Sequence, residues 1–132
     1  MGVLPIINEN DTIATEEIQV GDNDTLSALV AGSVKANLLI LLSDVNGLYS
    51  ADPHKNAKAT LIEKVYKIDD ELLALAGGEG SSLGTGGMKT KLRAAKICME
   101  NGCDMVIANG ENPDLLYDVV ANEPHGYTKF FA

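Results

Sequence analysis

The 132-residue chain is short of cysteine, of basic residues and of long apolar runs. Its two cysteines, Cys98 and Cys103, are too few for a disulfide framework and lack the close four-ligand pairing of a zinc site, so we expect reduced thiols. No apolar run approaches the roughly 20 residues that span a bilayer. The start, MGVLPIINEND, has no basic segment followed by a long apolar one. These absences favour a cytoplasmic protein without a membrane span.

The shortage of basic residues limits the possible partners. Acidic residues outnumber basic ones by 19 to 10, which gives a net charge of −9. Such a surface repels nucleic-acid phosphates and argues against a nucleic-acid partner. A nucleotide remains possible, because Mg²⁺ and a few well-placed lysines can offset the charge of its phosphates. The histidines, His54 and His125, are isolated in polar surroundings and are interpreted as surface residues, and no Ser-His-Asp or Cys-His arrangement stands out.

The apolar pattern predicts one folded α/β domain over residues 1–132. The content of 45% hydrophobic and 22% charged residues is typical of a globular protein. Strands are predicted at 3–7, 37–44, 61–65, 104–108 and 126–132, with a hairpin arm near Ile18 and Val20. Helices are predicted at 24–36, 69–77, about 87–102 and 112–122, the last with Pro113 near its first position. This alternation predicts a three-layer αβα sandwich with a mainly parallel sheet.

Ligands of such sheets bind beyond the carboxyl ends of the strands. Three polar segments follow predicted strands and are therefore the places to look: NEND at 8–11, SDVNG at 43–47 and NGENP at 109–113. The first crowds two asparagines and two acids together, which suits recognition of an amino-acid ammonium group, although surface turn chemistry explains it too.

The stretch GTGGMKTK, residues 84–91, combines glycines with two lysines. It is not a Walker loop, because Met88 precedes Lys89 and Thr90, nor a dinucleotide fingerprint, because Lys89 takes the third glycine position. A glycine loop that opens a helix can still bind phosphate at the helix N-terminus. The alternative is a mobile turn with a solvated helix face, and the loop alone does not decide between the two.

Two further segments offer carboxylates. In SDVNGLYSADP, residues 43–53, Ser43 and Asp44 could bond a ribose or an adenine, or could simply form a turn or a helix cap. In VGDNDTLSA, residues 20–28, Asp22 is best explained as a helix cap. Asp24 differs if it faces the lysines, since a carboxylate between two ammonium groups would hold them in position.

Taken in order, PIINENDTIATEEIQVGDNDTLSALVA, LLILLSDVNGLYSADP and LGTGGMKTKLRAAK closely resemble the glutamate 5-kinases of the amino acid kinase family. The resemblance runs over nearly the whole chain. It implies transfer of the γ-phosphoryl group of ATP, with Mg²⁺, to the side-chain carboxylate of L-glutamate, the first step of proline biosynthesis. The absence of a catalytic histidine agrees with this chemistry, because a carboxylate acceptor is already ionised at neutral pH.

The resemblance also implies roles for individual residues. Asp11 and Asn23 match glutamate-binding positions. Lys91 matches the lysine that stabilises the moving phosphoryl group, and Asp24 matches the carboxylate that organises the catalytic lysines. The implied ATP-binding residues are Ser43, Asp44, Thr85, Gly86, Gly87, Met88, Lys89, Thr90 and Lys91, with Lys89 at a position where the family varies. No residue is assigned to a metal.

The chain departs from that family at its start. Family members begin with a glycine-rich strand and loop that carry another catalytic lysine, followed by a Ser-containing loop, and this chain has neither. We therefore expect the C-terminal, ATP-binding portion of a kinase domain, truncated at its N-terminus, with little activity alone and with self-association into a homo-oligomer. Two alternatives stay open: a non-catalytic module that binds nucleotide or L-proline, a possible feedback ligand, and a kinase of the same family with another acceptor.

Overall fold

A computed structural model describes residues 2–8, 22–77, 87–123 and 125–132. The elements in those ranges are α1 Asn23–Ser33, β1 Leu38–Ser43, β2 Lys64–Val65, α2 Asp70–Gly77, α3 Gly87–Glu100, β3 Asp104–Asn109, α4 Leu115–Ala121 and β4 Thr128–Phe130. The predicted hairpin arm at Ile18 and Val20 lies outside the described residues. None of the helices in the described ranges is long and apolar enough to cross a membrane.

The four strands form one sheet in the order β1-β3-β4-β2. Strands β1 and β3 run parallel over their full length, from the pair Leu38 and Asp104 to the pair Ser43 and Asn109. Strand β4 is parallel to β2 but antiparallel to β3. The predicted α/β fold with a mainly parallel sheet is confirmed, and β4 supplies its antiparallel pairing.

The helices cover both faces of this sheet. Strand β3 alternates between two apolar clusters, with Met105 and Ile107 on the side of the main core and Val106 and Ala108 on the other side. The main core includes buried residues of α1 and α3, whereas the second cluster includes Val119 of α4. This alternation is the period-two pattern of a strand buried on both faces, and it produces the predicted three layers.

Local chemistry explains where α1 begins and where α3 ends, although α1 stops at Ser33, before the predicted 36. Asp22 caps α1, because its carboxylate accepts from the backbone N–H of Thr25 at 2.6 Å and from the Thr25 hydroxyl at 2.8 Å. Helix α3 ends in a tight turn in which Gly102 takes a φ of +70° and the N–H of Cys103 donates to the carbonyl of Cys98 at 3.0 Å. A left-handed residue suits glycine, so the helix stops here and β3 follows at once.

Three predicted elements need correction. Residues 3–7 were predicted as a strand, but residues 2–8 are irregular and exposed. The predicted strand at 61–65 is shorter, because Leu61 bridges to Tyr49 and only Lys64–Val65 pairs with β4. Helix α4 begins at Leu115, so Pro113 lies in the preceding turn rather than at the first helical position.

Both cysteines are free thiols with no exposed surface. Burial, with a smaller effect of the neighbouring Cys103, raises the pKa of Cys98 to about 12 from its usual 9.0. Burial also raises the pKa of Cys103. Both thiols therefore stay protonated at neutral pH and behave as small core residues.

Candidate functional site

The chain direction brings two helix N-termini to one edge of the sheet. Helix α1 leads into β1 and helix α3 leads into β3, and these two strands are parallel. Each helix runs back along the sheet before its strand begins, so both helices start at the carboxyl edge of the strands. The two helices also pack against each other within the main core. Side chains on their first turns therefore meet above that edge.

The central contact of this edge joins Asp24 of α1 to Lys91 of α3. The Lys91 ammonium lies 3.0 Å from Oδ2 of Asp24, and the two side chains are only 12% and 22% exposed. The Thr90 hydroxyl lies 2.8 Å from the same oxygen and 2.9 Å from the carbonyl of Gly87. A hydroxyl has one proton, and the carboxylate is the stronger acceptor, so we assign the proton to Asp24. One carboxylate oxygen thus fixes both Thr90 and Lys91.

The start of α3 is suited to an anion. Its first turn, which includes Gly87, Met88 and Lys89, contains no acidic side chain, whereas acids usually occupy that place because they offset the helix dipole. Lys89 is exposed there, and Lys91 follows on the next turn. The backbone N–H groups of a first turn have no partner within the helix, so they can donate to a phosphate. Of the predicted loop, Thr85 and Gly86 lie outside the described residues.

A cleft of about 230 Å³ opens beside the carboxyl end of β1. Its wall includes Asp44 and Tyr49 from the loop after β1, Leu75 near the end of α2, and Met88 from the first turn of α3. Asp44 also accepts a hydrogen bond from the Ser43 hydroxyl at 3.1 Å. The cleft therefore connects the predicted Ser43 and Asp44 pair to the start of the helix that carries Lys91.

A larger groove of about 420 Å³ lies along α1. Asn23 and Ser27 line it from α1, Asn8 and Ile7 from the N-terminal segment, and Leu38 from the start of β1. Asn23, which lines this groove, is next to Asp24 in the chain. Asp11, the other predicted glutamate-binding residue, lies outside the described residues.

The side chain of Thr128 in β4 holds the loop after β1 in place. The Thr128 hydroxyl accepts from the N–H of Leu48 at 2.8 Å and donates to the carbonyl of Ile62 at 2.7 Å, and the residue is fully buried. Gly47 packs so closely here that a β-carbon at its position would collide with the Thr128 hydroxyl. Only glycine fits at this close approach, which explains the NG turn of the sequence.

Sequence reasoning did not assign three polar side chains that shape the cleft. Asn109, the last residue of β3, donates from Nδ2 to Oδ1 of Asn46 at 3.0 Å. Asn46 in turn donates to the Tyr49 hydroxyl at 3.2 Å. Both Asn46 and Tyr49 belong to the SDVNGLYSADP motif, and Asn109 opens the NGENP segment at the carboxyl end of β3, so strand position was the signal that could have found them. His54 is exposed, as predicted, but it also lines the cleft.

Comparison with known proteins decides the family. The model of the amino acid kinase family matches residues 1–109. The chain belongs to the amino acid kinase family. Among curated relatives, the glutamate 5-kinase of Symbiobacterium thermophilum is 59% identical over 125 residues, which is 95% of this chain and 47% of that protein. The glutamate 5-kinase of Herpetosiphon aurantiacus is 57% identical over 130 residues, which is 98% of this chain and 35% of that protein.

The chain thus spans about half or less of the length of these relatives. In solved structures of the amino acid kinase fold, too, the chain matches less than half of the other chain. The uridylate kinase from Archaeoglobus fulgidus superposes with a TM-score of 0.62 at 24% identity, over 83% of this chain and 47% of that one. The carbamate kinase from Giardia lamblia bound to AMP-PNP gives a TM-score of 0.58 at 23% identity, over 83% of this chain and 35% of that one. At these identities the likeness establishes the fold alone.

Proposed function

We propose that residues 1–132 form the ATP-binding portion of a glutamate 5-kinase domain. The observation that carries the proposal is the contact of Asp24 with Lys91 and Thr90 at the start of α3, the helix whose first turn also lines the cleft through Met88. Identities of 57% and 59% to glutamate 5-kinases over almost the whole chain support the same activity.

The arrangement suits phosphoryl transfer between two anions. In this proposal the base of ATP occupies the cleft beside Asp44, and its phosphates extend to the first turn of α3. A carboxylate oxygen of glutamate, held near Asn23, attacks the γ-phosphorus while the bond to the oxygen shared with the β-phosphorus breaks. ADP leaves with that bonding electron pair, and an acyl phosphate forms. The Lys91 ammonium offsets the negative charge of the group in transit.

Asp24 acts on this reaction through Lys91. A flexible lysine side chain would otherwise sample many rotamers, and the 3.0 Å ion pair restricts it to the edge where the phosphates would lie.

We expect Mg²⁺ to bind as its complex with the nucleotide rather than at a metal site formed by protein side chains alone. Among the described residues, no group of three or more His, Cys, Asp or Glu side chains is placed to hold a metal ion. Mg²⁺ is often held mainly by phosphate oxygens and water, with one or two carboxylates, so this donor set agrees with a metal bound as the Mg²⁺–ATP complex. There it would supply positive charge that offsets the negative charge of the phosphates.

A chimera tests the proposed reaction. Residues of this chain would replace the 125 matching residues of the Symbiobacterium thermophilum kinase, to which they are 59% identical. Hydroxylamine traps acyl phosphates as hydroxamates, so we expect ATP-dependent hydroxamate from L-glutamate and none from N-acetylglutamate or carbamate. Lys91→Ala should lower kcat by about 10²–10³-fold, whereas Lys96→Ala, a change at an exposed lysine of the same helix, should leave it unchanged. A chimera that folds but favours another acceptor would overturn the glutamate assignment.

A further inference from the structure

We propose that Asn109 is a positioning residue for the base of the bound nucleotide, acting through Asn46 and Tyr49. The inference rests on the proposed nucleotide-binding function and deepens it. Asn109 does not line the cleft itself, whereas Asn46 and Tyr49 do. Its effect on a ligand would therefore pass through the hydrogen bonds that join it to these two residues.

The three side chains form one directed chain of hydrogen bonds. The N–H of Glu111 donates to Oδ1 of Asn109 at 2.9 Å, which leaves the Nδ2 group of Asn109 facing Asn46. That Nδ2 donates to Oδ1 of Asn46 at 3.0 Å, and Nδ2 of Asn46 donates to the Tyr49 hydroxyl at 3.2 Å. Each amide thus uses its oxygen as acceptor and its nitrogen as donor, so the orientation of one fixes the next.

The chain joins two strand ends that the sheet places side by side. Asn109 pairs with Ser43 at the end of the β1–β3 ladder, and the N–H of Gly110 donates to the Ser43 carbonyl at 2.8 Å. The loop that follows Ser43 holds Asn46 and Tyr49. Thr128 holds this loop at the N–H of Leu48, and Asn109 holds it at the side chain of Asn46. These two contacts restrict the loop from which Tyr49 lines the cleft.

The cleft has the character expected for a planar heteroaromatic base. Leu48, Leu75 and Met88 give it apolar surface, Tyr49 adds an aromatic ring, and Asp44 supplies an acceptor for an amino group or a ribose hydroxyl. A base that stacks on the Tyr49 ring, or meets it edge-on, gains binding free energy only when the Tyr49 ring is held in place. We therefore assign to Asn109 an effect on affinity for the base and none on affinity for the phosphates.

The decisive experiment compares two ligands that differ in the base. Isothermal titration of this chain would use Mg²⁺ with AMP-PNP and, separately, Mg²⁺ with tripolyphosphate, which has the phosphates without a nucleoside. Asn109→Ala should weaken AMP-PNP binding about two- to fivefold and leave tripolyphosphate unchanged, as expected for loss of one exposed hydrogen bond. The matched control is Asn112→Ala, a change at an exposed asparagine of the same loop, which should alter neither. Equal weakening of both ligands by Asn109→Ala, or no weakening of AMP-PNP, would overturn the proposal.

A second readout needs no ligand and so separates this proposal from the proposed function. Asn109→Ala and Asn46→Leu should each speed amide hydrogen exchange in residues 45–49 while exchange in α3 stays the same. Asn46→Asp should restore slow exchange, because a carboxylate accepts from Asn109 and the Tyr49 hydroxyl can donate to it. Unchanged exchange in Asn109→Ala would contradict the positioning role. If the unchanged chain bound neither ligand, the proposed function would fail, and the exchange result would still decide whether Asn109 orders the loop.

Discussion

At the scale of single residues, the candidate site depends on one carboxylate oxygen. Oδ2 of Asp24 accepts from the Thr90 hydroxyl and from the Lys91 ammonium. The sequence left open whether Asp24 faces the lysines, and in the structure Asp24 contacts Lys91 and Thr90. The role of Thr90 could not be predicted from its place in a phosphate-loop motif, because the contact crosses 66 positions of the chain.

Thr90 therefore allows a test of this contact. Thr90→Val keeps the side-chain shape but removes the hydroxyl, so we expect the free energy of unfolding to fall by about 1 kcal/mol. Thr90→Ser keeps the hydroxyl and should cost clearly less. Urea denaturation of the three proteins measures both differences, and equal stability of the Val and Ser variants would show that the contact with Asp24 contributes nothing.

Cys98 gives a prediction about pH. Its pKa in the folded chain is about 12 against a usual 9.0, so the folded state holds the thiol proton more tightly than the unfolded state does. The resulting stability is fully present below pH 9 and is lost as the pH rises from about 9 toward 12. Urea denaturation at increasing pH should show this loss, and Cys98→Ala should reduce it. A Cys98 thiol that reacts with a disulfide reagent as fast in the folded chain as in urea would contradict its burial.

At the scale of elements, the site is built from the ends of strands and the starts of helices. The sequence predicted β1, β3, α1 and α3 well, because the two strands are apolar runs and the helices have recognisable ends, α1 at Asp22 and α3 at Gly102. The sequence-based prediction failed where the length of an element depends on the segment that it pairs with. The segment at 61–65 is divided between two partners, because Leu61 bridges to Tyr49 while Val65 pairs with β4. The alternation of apolar and polar residues along the segment does not show which partner each residue pairs with.

A substitution at Thr128 tests how much the contacts between these elements contribute to the free energy of unfolding. Thr128→Val removes the hydroxyl that serves Leu48 and Ile62, and leaves a buried N–H without its acceptor. We expect the free energy of unfolding to fall by about 1–3 kcal/mol, and amide exchange in residues 45–49 to rise. Thr60→Val supplies a matched control at an exposed threonine of the same region. A Thr128→Val protein as stable as the unchanged chain would mean that the loop after β1 is held by other contacts.

At the scale of the whole molecule, the sheet has more apolar surface than the described residues cover. Strand β1 stands at one end of the sheet order, and Leu42 on it is 53% exposed. Residues 2–8 carry further apolar side chains, of which Ile6 is 93% exposed. The prediction of a strand at 3–7 failed at this scale as well, because an apolar run forms a strand only against a partner, and none of the four described strands pairs with it.

A strand edge that none of the described strands covers, beside apolar side chains, predicts self-association. Light scattering of this chain should therefore give a mass above that of one copy, 13.9 kDa, and the mass should rise with concentration. Leu42→Lys should lower the apparent association constant, whereas Tyr117→Lys, at an exposed position of α4, should change it less. A monodisperse monomer at all concentrations would exclude this expectation.

We propose that the start of α3, with Lys91 held by Asp24, binds the phosphates of a nucleotide. The most direct measurement is calorimetric titration of this chain with Mg²⁺ and AMP-PNP, repeated with Lys91→Ala, Asp44→Ala and the control Lys96→Ala. We predict binding at one site that Lys91→Ala and Asp44→Ala both weaken and that Lys96→Ala leaves unchanged. Binding that is indifferent to Lys91, or no binding by the folded chain, would contradict the account.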